Sequence, residues 1–158
     1  MKPRILALDV EGTLLVHQGR WVHCRSGLFD FLAWALSRFE RVPFYTLLSE
    51  AQTRHIFELL SSQGDVPADL MPRFEFVVNP GWGKDLTAIE GAELDEIRLV
   101  DDSPGNILED QRHLWLPIKS FRGPQGVSSA FGATEPDPPD TELQRIQTIL
   151  TQQLAAND

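Results

Sequence analysis

The chain has 158 residues, 42% of them hydrophobic and 23% charged, which is typical of one globular domain spanning 1–158. The formal net charge is −9 and the 14 lysines and arginines are scattered, so we expect no nucleic-acid partner, because duplex-binding proteins carry a basic face. No apolar run is long enough to cross a bilayer, and the N-terminus does not resemble a signal peptide. The single Cys24 excludes an internal disulfide, so we expect a cytoplasmic protein. We also expect it to be a monomer.

Short apolar strands alternate with amphipathic helices along the sequence. In chain order we predict a strand over Arg4–Val10, a helix over Gly27–Phe39, a strand over Val42–Leu48, a helix from Ser49 to near Gly64, a strand over Arg73–Val78, a short helix over Asp85–Ile89, a strand over Ile97–Val100, a helix from Ser103 to about Arg112, a strand over Trp115–Lys119 and a terminal helix over 141–154. Ser26, Ser49 and Ser103 are the predicted N-caps of three of these helices.

Residues 124–140 interrupt this alternation with Gly, Pro and Ser, and we predict an irregular connector there. The terminal helix after it has an apolar stripe that should pack back on the domain, with binding to a partner as the less favoured alternative. Strands separated by helices predict a parallel sheet, whose active site would lie beyond the carboxyl ends of the strands.

Acidic residues follow two of the predicted strands at the point where each strand ends. Asp9 and Glu11 come after the first strand, where Gly12 permits a tight turn, and Asp101 and Asp102 follow the strand over Ile97–Val100. Carboxylates gathered at one edge of a sheet form a hard oxygen site suited to Mg²⁺. Either group of acids could instead serve only to cap a helix or to form a loop.

Two further polar residues stand where the same edge is predicted. Thr46 lies near the end of an apolar strand, and Lys84 precedes the short helix after the third strand. Phosphoryl transfer needs a positioned nucleophile, neutralisation of the phosphate oxygens and a proton for the leaving group. A carboxylate that attacks a phosphate dianion needs a cation beside it, and Lys84 with Mg²⁺ would serve. Neither residue is informative alone, but the ordered set indicates a phosphatase.

The sequence resembles the haloacid-dehalogenase (HAD) superfamily of phosphohydrolases, and more closely its small C-terminal-domain phosphatases of the FCP/SCP type, also called NLI-interacting-factor-like. The similar segments are LALDVEGTLL, CRSGLFDFLAWALSRFERVPFYTLLSE, GKDLTAI, IRLVDDSPGNILEDQRHLWLPIKSF and DTELQRIQTIL. The resemblance implies a HAD-like Rossmannoid parallel sheet flanked by helices, a bound Mg²⁺ and a two-step reaction through an aspartyl-phosphate.

The resemblance also implies a role for each residue at a matching motif position. The implied roles are nucleophile and metal ligand for Asp9, general acid/base and metal contact through its backbone carbonyl for Glu11, phosphate binding for Thr46, neutralisation of the phosphate and Asp9 for Lys84, metal binding for Asp102 and support of the metal site for Asp101. The family usually has aspartate where this chain has Glu11, although the enolase-phosphatases of the same superfamily are similar in having glutamate there. Asp102 stands where the family has asparagine.

The spacing of the motifs leaves no room for a separate cap domain. Between Thr13 and Thr46, and between Thr46 and Lys84, the predicted strands and helices use most of the residues. A capless site stays open and can admit a phosphate displayed on a macromolecule. We therefore expect a phosphoprotein substrate, with a small phosphomonoester as the second choice. The alternatives are a catalytically retired module that binds a phosphorylated ligand or a partner, and a polynucleotide 3′-phosphatase, which the acidic charge disfavours.

Overall fold

The computed structural model describes residues 2–64, 66–123 and 139–156. The strands are β1 (Ile5–Leu8), β2 (Leu15–Gln18), β3 (Trp21–Cys24), β4 (Ile97–Asp101) and β5 (Trp115–Pro117). The α-helices are α1 (Leu28–Arg38), α2 (Glu50–Ser62) and α3 (Glu142–Ala155). Most of the predicted connector lies outside the described residues.

The central sheet is parallel, as the alternation of strands and helices predicts. β1 pairs with β4, and β4 pairs with β5, so the order is β1-β4-β5. On the other edge of β1, Leu8 forms a parallel bridge with Phe44, and Phe44 forms another with Phe76. The carboxyl ends of all these segments therefore lie along one edge of the sheet.

The predicted second and third strands are extended segments that join the sheet through only a few hydrogen bonds. The amide of Tyr45 donates to the carbonyl of Leu8 at 2.8 Å, and the amide of Val77 donates to the carbonyl of Phe44 at 2.9 Å. Pro43 has no N–H to donate, which shortens the ladder on this side of β1. Both segments join the parallel sheet as predicted, although neither is a continuous strand.

Both faces of the sheet are covered, which explains the unbroken apolar run of β1. Leu6 and Leu8 pack in a core with buried residues of α1, α2 and α3, whereas Ile5 and Ala7 pack on the opposite face. Successive side chains of a strand point to opposite faces, so each core takes alternate residues. The three α-helices share one face, and short 3-10 turns cover the other.

Two predicted caps and one predicted helix need correction. Helix α1 begins after Gly27, which has a φ of 78° and acts as N-cap, so the side chain of Ser26 does not cap it. Ser49 caps α2 as predicted, in a reciprocal capping box with Gln52. The helix predicted from Ser103 is instead two 3-10 turns, because Ile107 between them forms a bridge with Lys84; the side chain of Ser103 caps neither turn.

The hairpin of β2 and β3 was not predicted from the sequence. It pairs Leu15 with Cys24 and Gln18 with Trp21, and Gly19 adopts a φ of 63° in its turn. Helix α3 confirms the predicted docking, since its buried residues join the same core as α1. Within the described parts of the chain, no helix is long and apolar enough to cross a membrane.

Candidate active site

Three carboxylates converge at the carboxyl edge of the sheet. Asp9 follows β1, Asp101 ends β4, and Asp102 is the next residue. One oxygen from each side chain lies within 4.8 Å of the other two. The adjacent parallel strands β1 and β4 bring them together, as the motif positions predict.

Lys84 lies between two of these acids and is fully buried. Its Nζ donates to Oδ1 of Asp9 at 2.8 Å and to Oδ2 of Asp101. The other oxygen of Asp101 accepts the backbone N–H of Ser103 at 2.7 Å. Asp101 therefore has both oxygens in hydrogen bonds within the protein, and one of these bonds holds the ammonium group of Lys84.

A second set of hydrogen bonds fixes the segment that carries Lys84. The buried side chain of Gln111 accepts the amide of Leu86 and donates to Oδ1 of Asp85, each at 2.8 Å. The hydroxyl of Tyr45 donates to the carbonyl of Asp85 at 3.1 Å. These contacts hold the lysine in place without using its ammonium group.

The site carries more negative charge than its lysine can neutralise. Burial raises the pKa of Asp9 to about 6, against the opposing effect of Lys84, and burial likewise raises the pKa of Asp101. Three ionised carboxylates and one ammonium would leave two negative charges uncompensated. Oxygen donors with this excess charge fit a hard divalent cation such as Mg²⁺.

Thr13 links two of the carboxylates, and no role for it was predicted from the sequence. Its buried hydroxyl lies 2.8 Å from Oδ2 of Asp9 and 3.2 Å from Oδ1 of Asp102, and it accepts the amide of Asp102 at 3.2 Å. The hydroxyl thus sets the separation of the two acids. Its position directly after Gly12 at the end of a strand was the only available signal.

Gly12 is required by the close approach of Asp102. Its φ is 79°, and a Cβ atom there would lie 2.7 Å from Oδ2 of Asp102. Any side chain at position 12 would therefore be strained and would also displace the acid.

A cleft of about 510 Å³ opens above the carboxylates and is lined by Asp9, Glu11, Thr46 and Asp102, among others. Thr46 is buried, and its hydroxyl accepts the amide of Leu48 at 3.3 Å. The exposed carboxylate of Glu11 accepts the amide of His17 at 3.2 and 3.3 Å. Among the described residues, Glu11 is not part of the three-carboxylate cluster, but it belongs to the wall of the same cleft.

The family model described as NLI interacting factor-like phosphatase matches residues 4–158. The chain belongs to this family. No curated protein matches the chain closely. The resemblance of the motifs is thereby confirmed over nearly the whole sequence, and the chain is a phosphatase. In this NLI interacting factor-like phosphatase, the cleft lined by Asp9 and Asp102 opens at the cluster of three carboxylates.

Proposed function

We propose that the chain hydrolyses phosphomonoesters in two steps, with Asp9 as the covalent nucleophile and Mg²⁺ as the cofactor. The observation that carries this proposal is the contact of 2.8 Å between Nζ of Lys84 and Asp9, at a strand end that opens into a cleft. A carboxylate fixed by a buried lysine is oriented before the substrate arrives.

In the first step, an oxygen of Asp9 attacks phosphorus and the ester P–O bond breaks. The leaving oxygen takes its proton from Glu11, which faces the same cleft. In the second step, water attacks the aspartyl-phosphate, Glu11 takes the water's proton, and the bond between phosphorus and Asp9 breaks. Thr46 would bind the nonbridging oxygens, and Lys84 would oppose the charge of the phosphate and Asp9.

The metal would be held by Asp9 and Asp102, with the backbone carbonyl of Glu11 as a further ligand. Both carboxylates line the cleft, whereas Asp101 is fully buried between Lys84 and the amide of Ser103 and does not line it. Asp101 would therefore support the site through Lys84. When bound, Mg²⁺ would supply neutralisation of the phosphate oxygens.

The mouth of the cleft favours a phosphate carried by a larger molecule, such as a phosphoprotein. Leu47 lines the cleft and is 69% exposed. Val78 is 71% exposed and follows Val77, whose amide donates to the carbonyl of Phe44 at 2.9 Å. Trp82 is fully exposed two residues before Lys84. Apolar groups beside a buried phosphate site fit the residues that flank a phosphorylated side chain.

Trapping of the phosphoenzyme tests the nucleophile. Wild-type protein mixed with an aryl phosphate should form an acid-stable, hydroxylamine-labile phosphoenzyme, and Asp9→Asn should abolish both this species and turnover. Asp30→Asn, on the exposed face of α1, is the matched control and should leave both unchanged.

Removal of the metal tests the cofactor. Excess EDTA should abolish hydrolysis, and added Mg²⁺ should restore it. Equal rates with chelator and with Mg²⁺ would remove the metal from the proposal. Binding of a phosphate mimic such as beryllofluoride without any turnover would favour the retired binding module instead.

A further inference from the structure

Arg25 is a buried cation that the catalytic proposal does not use. Its side chain is 1% exposed, and no side chain of comparable length and charge other than Lys84 is as deeply buried among the described residues. Nε donates to the carbonyl of Thr13 at 2.8 Å, and Nη2 donates to the carbonyl of Lys119. Nη1 donates to both oxygens of Asp140, at 3.1 and 2.9 Å.

These contacts join three segments that are distant in the sequence. Thr13 belongs to the turn after β1, Lys119 follows β5, and Asp140 lies just before α3. A backbone hydrogen bond also joins the turn to the segment after β5, because the carbonyl of Gly12 accepts the amide of Phe121 at 2.7 Å. The guanidinium has a planar fork of donors that can serve several acceptors at once, which an ammonium cannot reproduce.

The turn that Arg25 holds is the one that spaces the carboxylates. The carbonyl of Thr13 accepts from Arg25, while the hydroxyl of Thr13 contacts both Asp9 and Asp102. A shift of this backbone would move the hydroxyl and, with it, the separation of the two acids. Arg25 touches neither acid and acts on the site through the carbonyl of Thr13 and, at 3.5 Å, the carbonyl of Gly12.

Asp140 supplies the charge that keeps Arg25 in this position. Removing one partner of a buried ion pair leaves the other without compensation, so Arg25 would reorient toward water or another acceptor. Asp140 also accepts the amide of Glu142 at 3.0 Å, which joins it to the start of α3. The C-terminal segment is thereby connected to the turn that carries Thr13.

We infer that Arg25 and Asp140 are positioning residues, through which the C-terminal segment sets the geometry of the Asp9 and Asp102 carboxylates. Outer residues that orient metal ligands typically change metal affinity by about 10–100-fold when they are lost. Because Arg25 and Asp140 act through Thr13, we expect an effect of about tenfold, at the lower end of that range.

The test compares Asp140→Asn with Glu142→Gln. Both variants remove a carboxylate that ties the start of α3 to the rest of the fold. Among the described residues, however, Glu142 accepts only the amide of Lys119 and the side chain of Arg145. Mg²⁺ should raise Tm, and the Mg²⁺ concentration that gives half of this increase should be about tenfold higher for Asp140→Asn than for the wild-type protein. Glu142→Gln should lower Tm without changing that concentration. Arg25→Lys should behave like Asp140→Asn, since it retains the charge and loses the fork.

Amide hydrogen exchange provides a readout that does not depend on the metal, so that a failure of the proposed Mg²⁺ site can be distinguished from a failure of this inference. Without Mg²⁺, Asp140→Asn should speed exchange at Gly12 and Thr13, whose amides are hydrogen-bonded within the turn, and Glu142→Gln should not. If both variants change Tm alike and leave exchange in the turn unchanged, Asp140 is only a structural anchor and the inference is wrong.

Discussion

Asp101 and Asp102 are neighbours in the sequence but occupy different environments. Asp101 ends β4 with its carboxylate buried against Lys84, whereas Asp102 is partly exposed and lines the cleft. Successive side chains of an extended backbone point to opposite sides, which separates the two acids. The resemblance implies direct metal binding by Asp102 and a supporting role for Asp101, and the burial and partners of each acid favour the same division.

Glu11 is the residue whose predicted role most needs a test, because glutamate replaces the family's usual aspartate. We expect Glu11→Gln to slow hydrolysis of phosphoserine by at least about 100-fold, since the leaving alkoxide needs a proton. The loss on p-nitrophenyl phosphate should be smaller, because its phenolate leaves with little help. Steady-state kcat on both substrates would measure the difference.

Glu11→Asp is the matched variant for this prediction, since it keeps the acid and shortens its reach. Its loss on phosphoserine should be milder than that of Glu11→Gln. An equal loss on both leaving groups would show that Glu11 acts through its contact with the amide of His17 rather than as a proton donor.

Lys84 shows how far residue-scale prediction can reach. Its place in the ordered motifs led to its predicted pairing with Asp9, and the structure has that contact. The roles of Thr13 and Arg25 were not predicted, because they depend on contacts of a hydroxyl and of backbone carbonyls that residue type does not reveal. A role of that kind depends on the fold and cannot be deduced from residue type.

At the scale of elements, strongly patterned segments were predictable and weakly patterned ones were not. β1 is a continuous apolar run, β4 is buried at Ile97, Leu99 and Val100, and Ser49 begins a helix with a capping box. The hairpin of β2 and β3 has mixed exposure, so it lacks the alternation that marks a strand. The 3-10 turns after Ser103 follow from the bridge between Lys84 and Ile107, which local sequence cannot reveal.

The start of α3 should contribute stability that depends on pH. Arg145 and the amide of Lys119 lower the pKa of Glu142 from 4.5 to about 2. Because the pKa in the folded state is lowered, this stability is present above about pH 4.5 and is lost as pH falls toward 2. Glu142→Gln should therefore cost roughly 1 kcal/mol of unfolding free energy at pH 7 and much less near pH 3.

Urea unfolding of both proteins at pH 7 and pH 3 would measure this difference. Glu50→Gln is the control, since the pair that Glu50 forms with Arg54 in α2 is exposed. A cost for Glu142→Gln that stays the same at both pH values would contradict the role given to its carboxylate.

For the whole molecule, the parallel sheet and its carboxyl-edge site followed from the order of the motifs, but the shape of the mouth did not. Leu47 was predicted as part of a strand, and only the structure shows that its exposed side chain lines the cleft. The substrate class therefore has to be tested on the folded surface.

Trp82→Ala should weaken the use of a phosphopeptide without altering the chemistry. We expect KM for a phosphopeptide with apolar residues beside the phosphate to rise about tenfold, a loss of ~1.4 kcal/mol, with kcat unchanged. KM for p-nitrophenyl phosphate should stay the same, because that substrate does not extend beyond the cleft. Trp21→Ala removes an equally large exposed side chain from the β2–β3 hairpin and is the matched control. Equal effects of Trp82→Ala on both substrates would contradict a role in peptide binding.

The pairing of β1 with β4 also bears on how the chain folds. Ile5 pairs with Ile97, which is 92 positions further along the sequence, so the two halves of the carboxylate site meet only through a contact of high sequence separation. Contacts of this kind close large loops and form slowly. Until they form, β1 lacks its β4 neighbour and its apolar side chains remain open to other chains. Asp9 and its acidic neighbours are therefore brought together by a slow, non-local event of folding, so a partly folded chain would have the helices before it had the site.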